Sequence, residues 1–266
     1  MKRIMAVSVI GLSLMVVTVS SAFISDGSAR ANSMFVEAVK LIQSSQNTLY
    51  NEDKLALLDK ALGKLREIID SHPSSDLSVK LITGQSIGNI NLETVAKTAK
   101  KLRDSVEREK GACNEAPTTK CILAFALSEA KMIEHDDTRS QALSHIAKAQ
   151  AKAGDIKASQ STFTFALSSA EAVKSYFMRS WALRRVAVAQ AKAGDIKAAF
   201  ATAEMIEIGL SSMLALRGIA EAQAEADDIK AAFTTAKMIK GGRTGASIRS
   251  SALSGIAVTL NGMRSE

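Results

Sequence analysis

The second half of the chain repeats one spacing of apolar positions. Leu143, Ile146 and Ala147 return as Leu183, Val186 and Ala187, then as Leu216, Ile219 and Ala220, and again as Leu253, Ile256 and Ala257. Positions i, i+3 and i+4 share one face of a helix, so the pattern predicts four amphipathic helices of one type. Between them stands a second type, with Ile196, Ala199, Phe200 and Ala203 matched by Ile229, Ala232, Phe233 and Ala236. The first helix of this second type is longer, with Ser159 to Thr164 inserted before Phe165. A lone second-type helix precedes the array, because Phe125 to Ala130 resembles Phe165 to Ala170.

The joints repeat more faithfully than the helices. Ala-Lys-Ala-Gly-Asp-Ile-Lys at 151–157 recurs unchanged at 191–197, and as Ala-Glu-Ala-Asp-Asp-Ile-Lys at 224–230. Gly154 and Gly194 supply the left-handed backbone position that closes a helix, and Asp227 adopts it at some cost. Asp155, Asp195 and Asp228 then stand where a carboxylate caps the next helix. Upstream, Arg139-Ser-Gln-Ala-Leu143 corresponds to Arg179-Ser-Trp-Ala-Leu183 and to Arg249-Ser-Ser-Ala-Leu253.

These motifs resemble the tetratricopeptide repeat. Gly154-Asp155-Ile156 and Gly194-Asp195-Ile196 fill its joint, Ala199 and Ala232 its small second-helix position, and Leu183, Val186 and Ala187 its large-large-small pattern. The chain departs from the family by placing Gln150, Gln190 and Gln223 at the usual aromatic position and by lacking the closing proline. The resemblance runs from about residue 122 onward and implies an all-α fold, a right-handed α-solenoid of antiparallel helix pairs. It also implies a protein or peptide partner on the face made by the first helices. Positions flanking the buried stripe would face it: Gln141, Ser144, Lys148 and Lys152, then Trp181, Arg184, Val188 and Lys192, then Leu214, Arg217 and Glu221. Of these, Lys148, Lys152, Trp181, Arg184, Lys192, Leu214 and Arg217 are the expected partner-binding residues, suited to an acidic peptide or a free carboxyl terminus.

The first half is helical on weaker signals. Phe35, Ala38, Val39 and Ile42 have helical spacing; Asn51 begins a helix that buries Leu58, Ala61, Leu62, Leu65 and Ile69 and stops at Ser71-His72-Pro73. A short helix is expected over Asp76 to Thr83, and Asn91 is placed to cap another carrying Val95, Ala99, Leu102 and Val106. The stretch Ile68 to Pro73 resembles repeat proteins of the bacterial envelope. Gly84-Gln-Ser-Ile-Gly88 reads as a turn, since it lacks the Lys-Ser/Thr and preceding strand of a phosphate loop. Lys97, Lys100, Lys101 and Arg103 read as a solvated helix face.

The extreme N-terminus changes the setting. Met1 to Arg3 is basic, Ile4 to Val19 is almost continuously apolar, and Ser20-Ser21-Ala22 offers small residues where a signal peptidase cuts. The expected division is a signal peptide over 1–31, cleaved after Ala22 or Ala31, a helical region over 32–115 and the repeat array over 116–266. No cysteine lies near the cut, which argues against lipid attachment there. A periplasmic or secreted location follows, and it makes Cys113 and Cys121, either side of a polar segment with Pro117, a disulfide rather than a metal site.

Composition narrows the classes further. The charge balance is +7, or +5 with Lys2 and Arg3 removed, spread thinly along the chain, which argues against nucleic-acid binding. His72, His135 and His145 stand in no recognisable catalytic spacing, and Asp136-Asp137 reads as the cap of a helix beginning near Arg139. No enzyme activity, cofactor or metal is expected. The functional expectation is an exported adaptor or scaffold that binds a protein partner. The alternative is a structural or assembly protein of the envelope, acting through self-association or membrane-surface contact.

Overall fold

The computed structural model describes residues 29–207 and 209–263. Of the signal peptide expected over 1–31, residues 1–28 lie outside the described residues, and only 29–31, with the second cleavage site, lie within them. Twelve α-helices, α1 to α12, make up the described chain, which forms two compact units divided between Asp104 and Ser105.

In the first unit, α1 (Ala29–Gln46), α2 (Asn51–Ser71), α3 (Asp76–Ile82) and the start of α4 (Leu92–Glu115) enclose one core. Met34, Ala38 and Ile42 of α1 meet Leu58, Ala61, Leu62, Leu65 and Ile68 of α2, with Leu81, Ile90, Val95 and Ala99 completing it. Ile69, expected in the α2 stripe, is only partly buried beside this core. The helix ends as its proline requires, with the His72 N–H donating back to the Ile68 carbonyl. Ser75 accepts from the Ser78 N–H to begin α3, and Thr83 forms the C-cap just after it. Gly84 and Gly88 hold φ of 71° and 62°. Asn91 locks the turn they bracket, accepting from the Thr94 N–H at 3.0 Å and donating to the Gly84 carbonyl at 2.8 Å. The glycine pair is therefore a turn, as its sequence context indicates.

The second unit continues with α5 (Thr119–Lys131), α6 (Asp136–Lys152), α7 (Ile156–Ala172), α8 (Tyr176–Lys192), α9 (Ile196–Glu204), α10 (Gly209–Glu225), α11 (Ile229–Met238) and α12 (Gly242–Met263). Consecutive helices pair as α6/α7, α8/α9 and α10/α11, while α6, α8, α10 and α12 also pack successively on one another. This is helical-repeat-like packing. At each joint the chain closes one helix and opens the next with the same bonds. Gly154, Gly194 and Asp227 take φ of 81°, 89° and 64°. The N–H groups of Asp155, Asp195 and Asp228 reach back to the carbonyls of Gln150, Gln190 and Gln223 at 3.0, 3.0 and 2.9 Å. The same aspartates then accept from Ala158, Ala198 and Ala231 N–H groups at 3.1, 3.0 and 3.0 Å, capping α7, α9 and α11.

The glutamines that break the repeat pattern are buried inside the helix pairs. Gln190 Oε1 accepts from Thr202 Oγ1 at 2.8 Å, and Gln223 Oε1 from Thr235 Oγ1 at 2.7 Å. Gln150 and Thr162 are buried at the same spacing, so the extra length of α7 lies toward its C-terminal end and not in an insertion at Ser159 to Thr164. A polar clasp thus replaces an aromatic contact, and each buried hydroxyl–amide bond is worth about 1 kcal/mol net. The repeated arginines also have work inside the fold. Arg139, Arg179 and Arg249 donate to the Ile133, Val173 and Ile239 carbonyls, at 2.7, 3.2 and 2.6 Å, fastening α6, α8 and α12 to the turns before them.

Two expectations, the start of α6 and the burial of Ala257, are corrected here, and the second-helix phenylalanines take an exposed place. The helix expected to begin near Arg139 begins at Asp136 instead, without a side-chain cap at His135, and Asp136 pairs with Arg139 rather than capping. Phe165 and Phe233 are exposed, because the buried stripe of the second helices runs through Ala199, Thr202 and Ala203 and their counterparts. In α12, Ala257 is exposed although Ala147, Ala187 and Ala220 at the same repeat position are fully buried. No second helix covers that face of α12 among the described residues.

Candidate functional site

The candidate face lies on α8 and α10, where large apolar residues are exposed. Ser175 caps α8, and the helix opens with Tyr176, Phe177 and Met178, all exposed, followed one turn later by Trp181 at 43% exposure. Leu210, at the repeat position of Phe177, is likewise exposed on α10. Phe177 and Trp181, four positions apart, share one side of α8, and grouped rather than single exposed apolar residues mark interaction surfaces. Of these residues only Trp181 was expected. The others precede the repeated Arg-Ser motif, and nothing in their spacing separates a surface aromatic from a buried one.

Arg184 stands one turn beyond Trp181, its guanidinium carbon 4.9 Å from the ring centroid. That distance suits a cation–π contact. Arg184 is half-buried, and its burial, joined by the charges of Arg185 and Arg217, pushes its pKa below the usual guanidinium range. No carboxylate among the described residues pairs with it. By contrast Arg217, at the same position of α10, has its Nε 3.1 Å from Glu221 Oε1 as an ion pair without hydrogen-bond alignment. Lys192 Nζ lies 3.3 Å from Glu225 Oε1, linking α8 to α10 at identical repeat positions.

The expected partner-binding residues therefore separate. Trp181, Arg184 and Arg217 come together, with Arg185 added. Lys192 is occupied by Glu225, and Leu214 is half-buried against the α10–α12 core. Lys148 and Lys152 lie on α6, half-buried and exposed respectively. Among the flanking positions, Ser144 is buried and donates to the Ser140 carbonyl at 2.8 Å, so it does not face outward. Val188 is spent on packing: a Cβ on Gly218 of α10 would lie 2.5 Å from its Cγ2, and glycine is what lets the two helices approach there.

Other candidates resolve into structure. Cys113 and Cys121 form the expected disulfide between the end of α4 and the first turn of α5. Closing so short a loop stabilises by roughly 2–3 kcal/mol in the chain-entropy account. In the basic cluster of α4, Lys97 pairs with Glu93 at 2.7 Å and Arg103 with Asp59 at 2.7 Å. An open depression of about 340 Å³ lined by Arg66, Leu81, Ile82, Leu92 and Glu93 holds no further convergent polar groups. Among the described residues no group of three His, Cys, Asp or Glu side chains is placed to hold a metal ion, and no helix is long and apolar enough to cross a membrane. Comparison with known protein families, with curated proteins and with solved structures finds no match for this chain.

Proposed function

We propose that the chain is an exported, tetratricopeptide-like adaptor or scaffold that binds a protein partner in the bacterial periplasm. The observation that carries this reading is Arg184, half-buried over Trp181 and without a carboxylate of its own. Holding an uncompensated guanidinium in partial burial costs free energy that an incoming carboxylate recovers. Exposed Phe177, two turns before Arg184 on α8, and exposed Leu210 at the same repeat position of α10 suit a segment with both an acidic and an apolar residue. Export rests on the basic, apolar and small-residue layout of residues 1–22. Cleavage after Ala22 leaves α1 whole, whereas cleavage after Ala31 would remove a fully buried residue of its first turn.

The test is photo-crosslinking in intact cells from position 177, with the N-terminus of the captured chain sequenced from the same sample. A discrete partner is expected, joined to a chain beginning at Phe23. Arg184→Glu should reduce its yield at least about tenfold, equivalent to about 1.4 kcal/mol. Undiminished capture by Arg184→Glu overturns the binding face, and a retained Met1 overturns export. The second reading, an assembly protein acting through self-association, is favoured by the uncovered edges of α5 and α12.

A further inference from the structure

Within the second unit, after the last part of α4, the helix types run in the order second (α5), three first–second pairs, then first (α12). Among the described residues α4, though tied to α5 by the Cys113–Cys121 disulfide, does not pack along it as a first helix, and no second helix pairs with α12 as α7, α9 and α11 do with α6, α8 and α10. Register makes the two edges comparable with the closed pairs between them. Residue 122 of α5 stands where Thr162 stands in α7, as Phe125 does for Phe165. Residue 260 of α12 stands where Gln150, Gln190 and Gln223 stand in the other first helices, counting seven positions on from Leu253, Leu143, Leu183 and Leu216.

The contents of those positions differ in a coordinated way. Closed pairs hold a glutamine on one helix and a threonine on the other, both buried. The open edges hold Leu260 and Ile122 instead, one apolar residue on each side. Ile122 is 53% exposed although Thr162 at its repeat position is fully buried. On α12, Ala257 and Val258 are exposed beside the half-buried Leu253 and Leu260. Each edge is an apolar helix face whose natural complement is a helix of the other type in the same register.

We infer that α12 of one copy pairs with α5 of a second copy, completing a helix pair in which Leu260 and Ile122 occupy the clasp position. Substituting two apolar groups for a hydrogen-bonded pair keeps the interior satisfied without leaving a polar atom stranded. The contact is heterologous, joining unlike surfaces, so association proceeds head to tail and each added copy presents the same two edges again. This inference is independent of the Trp181–Arg184 face and survives the loss of that reading.

Bismaleimide crosslinking of cysteine variants tests it, since both native cysteines are held in the disulfide. Copies carrying Ile122→Cys mixed with copies carrying Leu260→Cys should crosslink to a dimer, while either variant alone should not. The purified chain should show a weight-average mass that rises with concentration in sedimentation. Ile122→Asp and Ala257→Asp, both at exposed positions, should each weaken that association at least about tenfold with unchanged helicity. A chain that stays monomeric at every concentration, or crosslinks formed by one variant alone, overturns the proposal.

Discussion

The joints of the second unit and the exposed face of α8 and α10 use the repeat in opposite ways. At the joints the same residues recur because the same bonds must be made: a left-handed turn, an aspartate cap and a buried glutamine that serves both its own helix end and the facing threonine. On the exposed face the repeat position of Trp181 holds Gln141 in α6 and Leu214 in α10, and that of Lys192 holds Lys152 and Glu225. Recurrence thus marks architecture here, while divergence marks the surface on which selectivity is expected. Charge follows the same division, because Lys192 and Glu225 neutralise each other across neighbouring helices, whereas no carboxylate among the described residues pairs with Arg184.

The contrast is broken most forcefully at the clasp. Gln190→Leu strands the Thr202 hydroxyl in the interior and should destabilise by about 1–3 kcal/mol in denaturant titration. Adding Thr202→Val should recover most of that loss; if it does not, the pair is not the energetic unit proposed. A smaller effect of opposite sign is expected at the one joint that lacks glycine. Asp227 holds φ of 64°, so Asp227→Gly should raise stability by about 1 kcal/mol or less, seen as a higher melting temperature. The smallest effect belongs to the exposed face. Arg184→Gln should move the melting temperature within the range of about 0.5 kcal/mol typical of surface changes. A larger loss would make Arg184 a structural residue and its pairing with Trp181 a packing contact.

How much of this was legible depended on whether a feature is local. Helix closure at Gly154 and Gly194, capping by Asp155, Asp195 and Asp228, the end of α2 at Pro73 and the short-loop disulfide each involve residues close in sequence, so their chemistry is visible in the chain itself. The clasp was not visible, although Gln190 and Thr202 are only twelve positions apart, because a buried glutamine looks like a departure from the repeat until its partner is seen across the joint. Arg139, Arg179 and Arg249 marked the period, but their carbonyl partners lie on the preceding turn and follow no side-chain pattern. Exposure of the second-helix phenylalanines was not legible for a related reason. Alanine and threonine suffice to fill the space between closely approaching helices, which leaves Phe233 and Phe165 outside, beneath the ammonium groups of Lys237 and Lys131.

The disulfide has a consequence for the life of the chain after synthesis. Residues 114–120 between Cys113 and Cys121 are exposed and include Pro117 and the turn leading into α5, the kind of segment at which proteases cut. A single nick there would leave both fragments covalently joined through sulfur. The cleaved protein would migrate as one species until a reductant separated it into two.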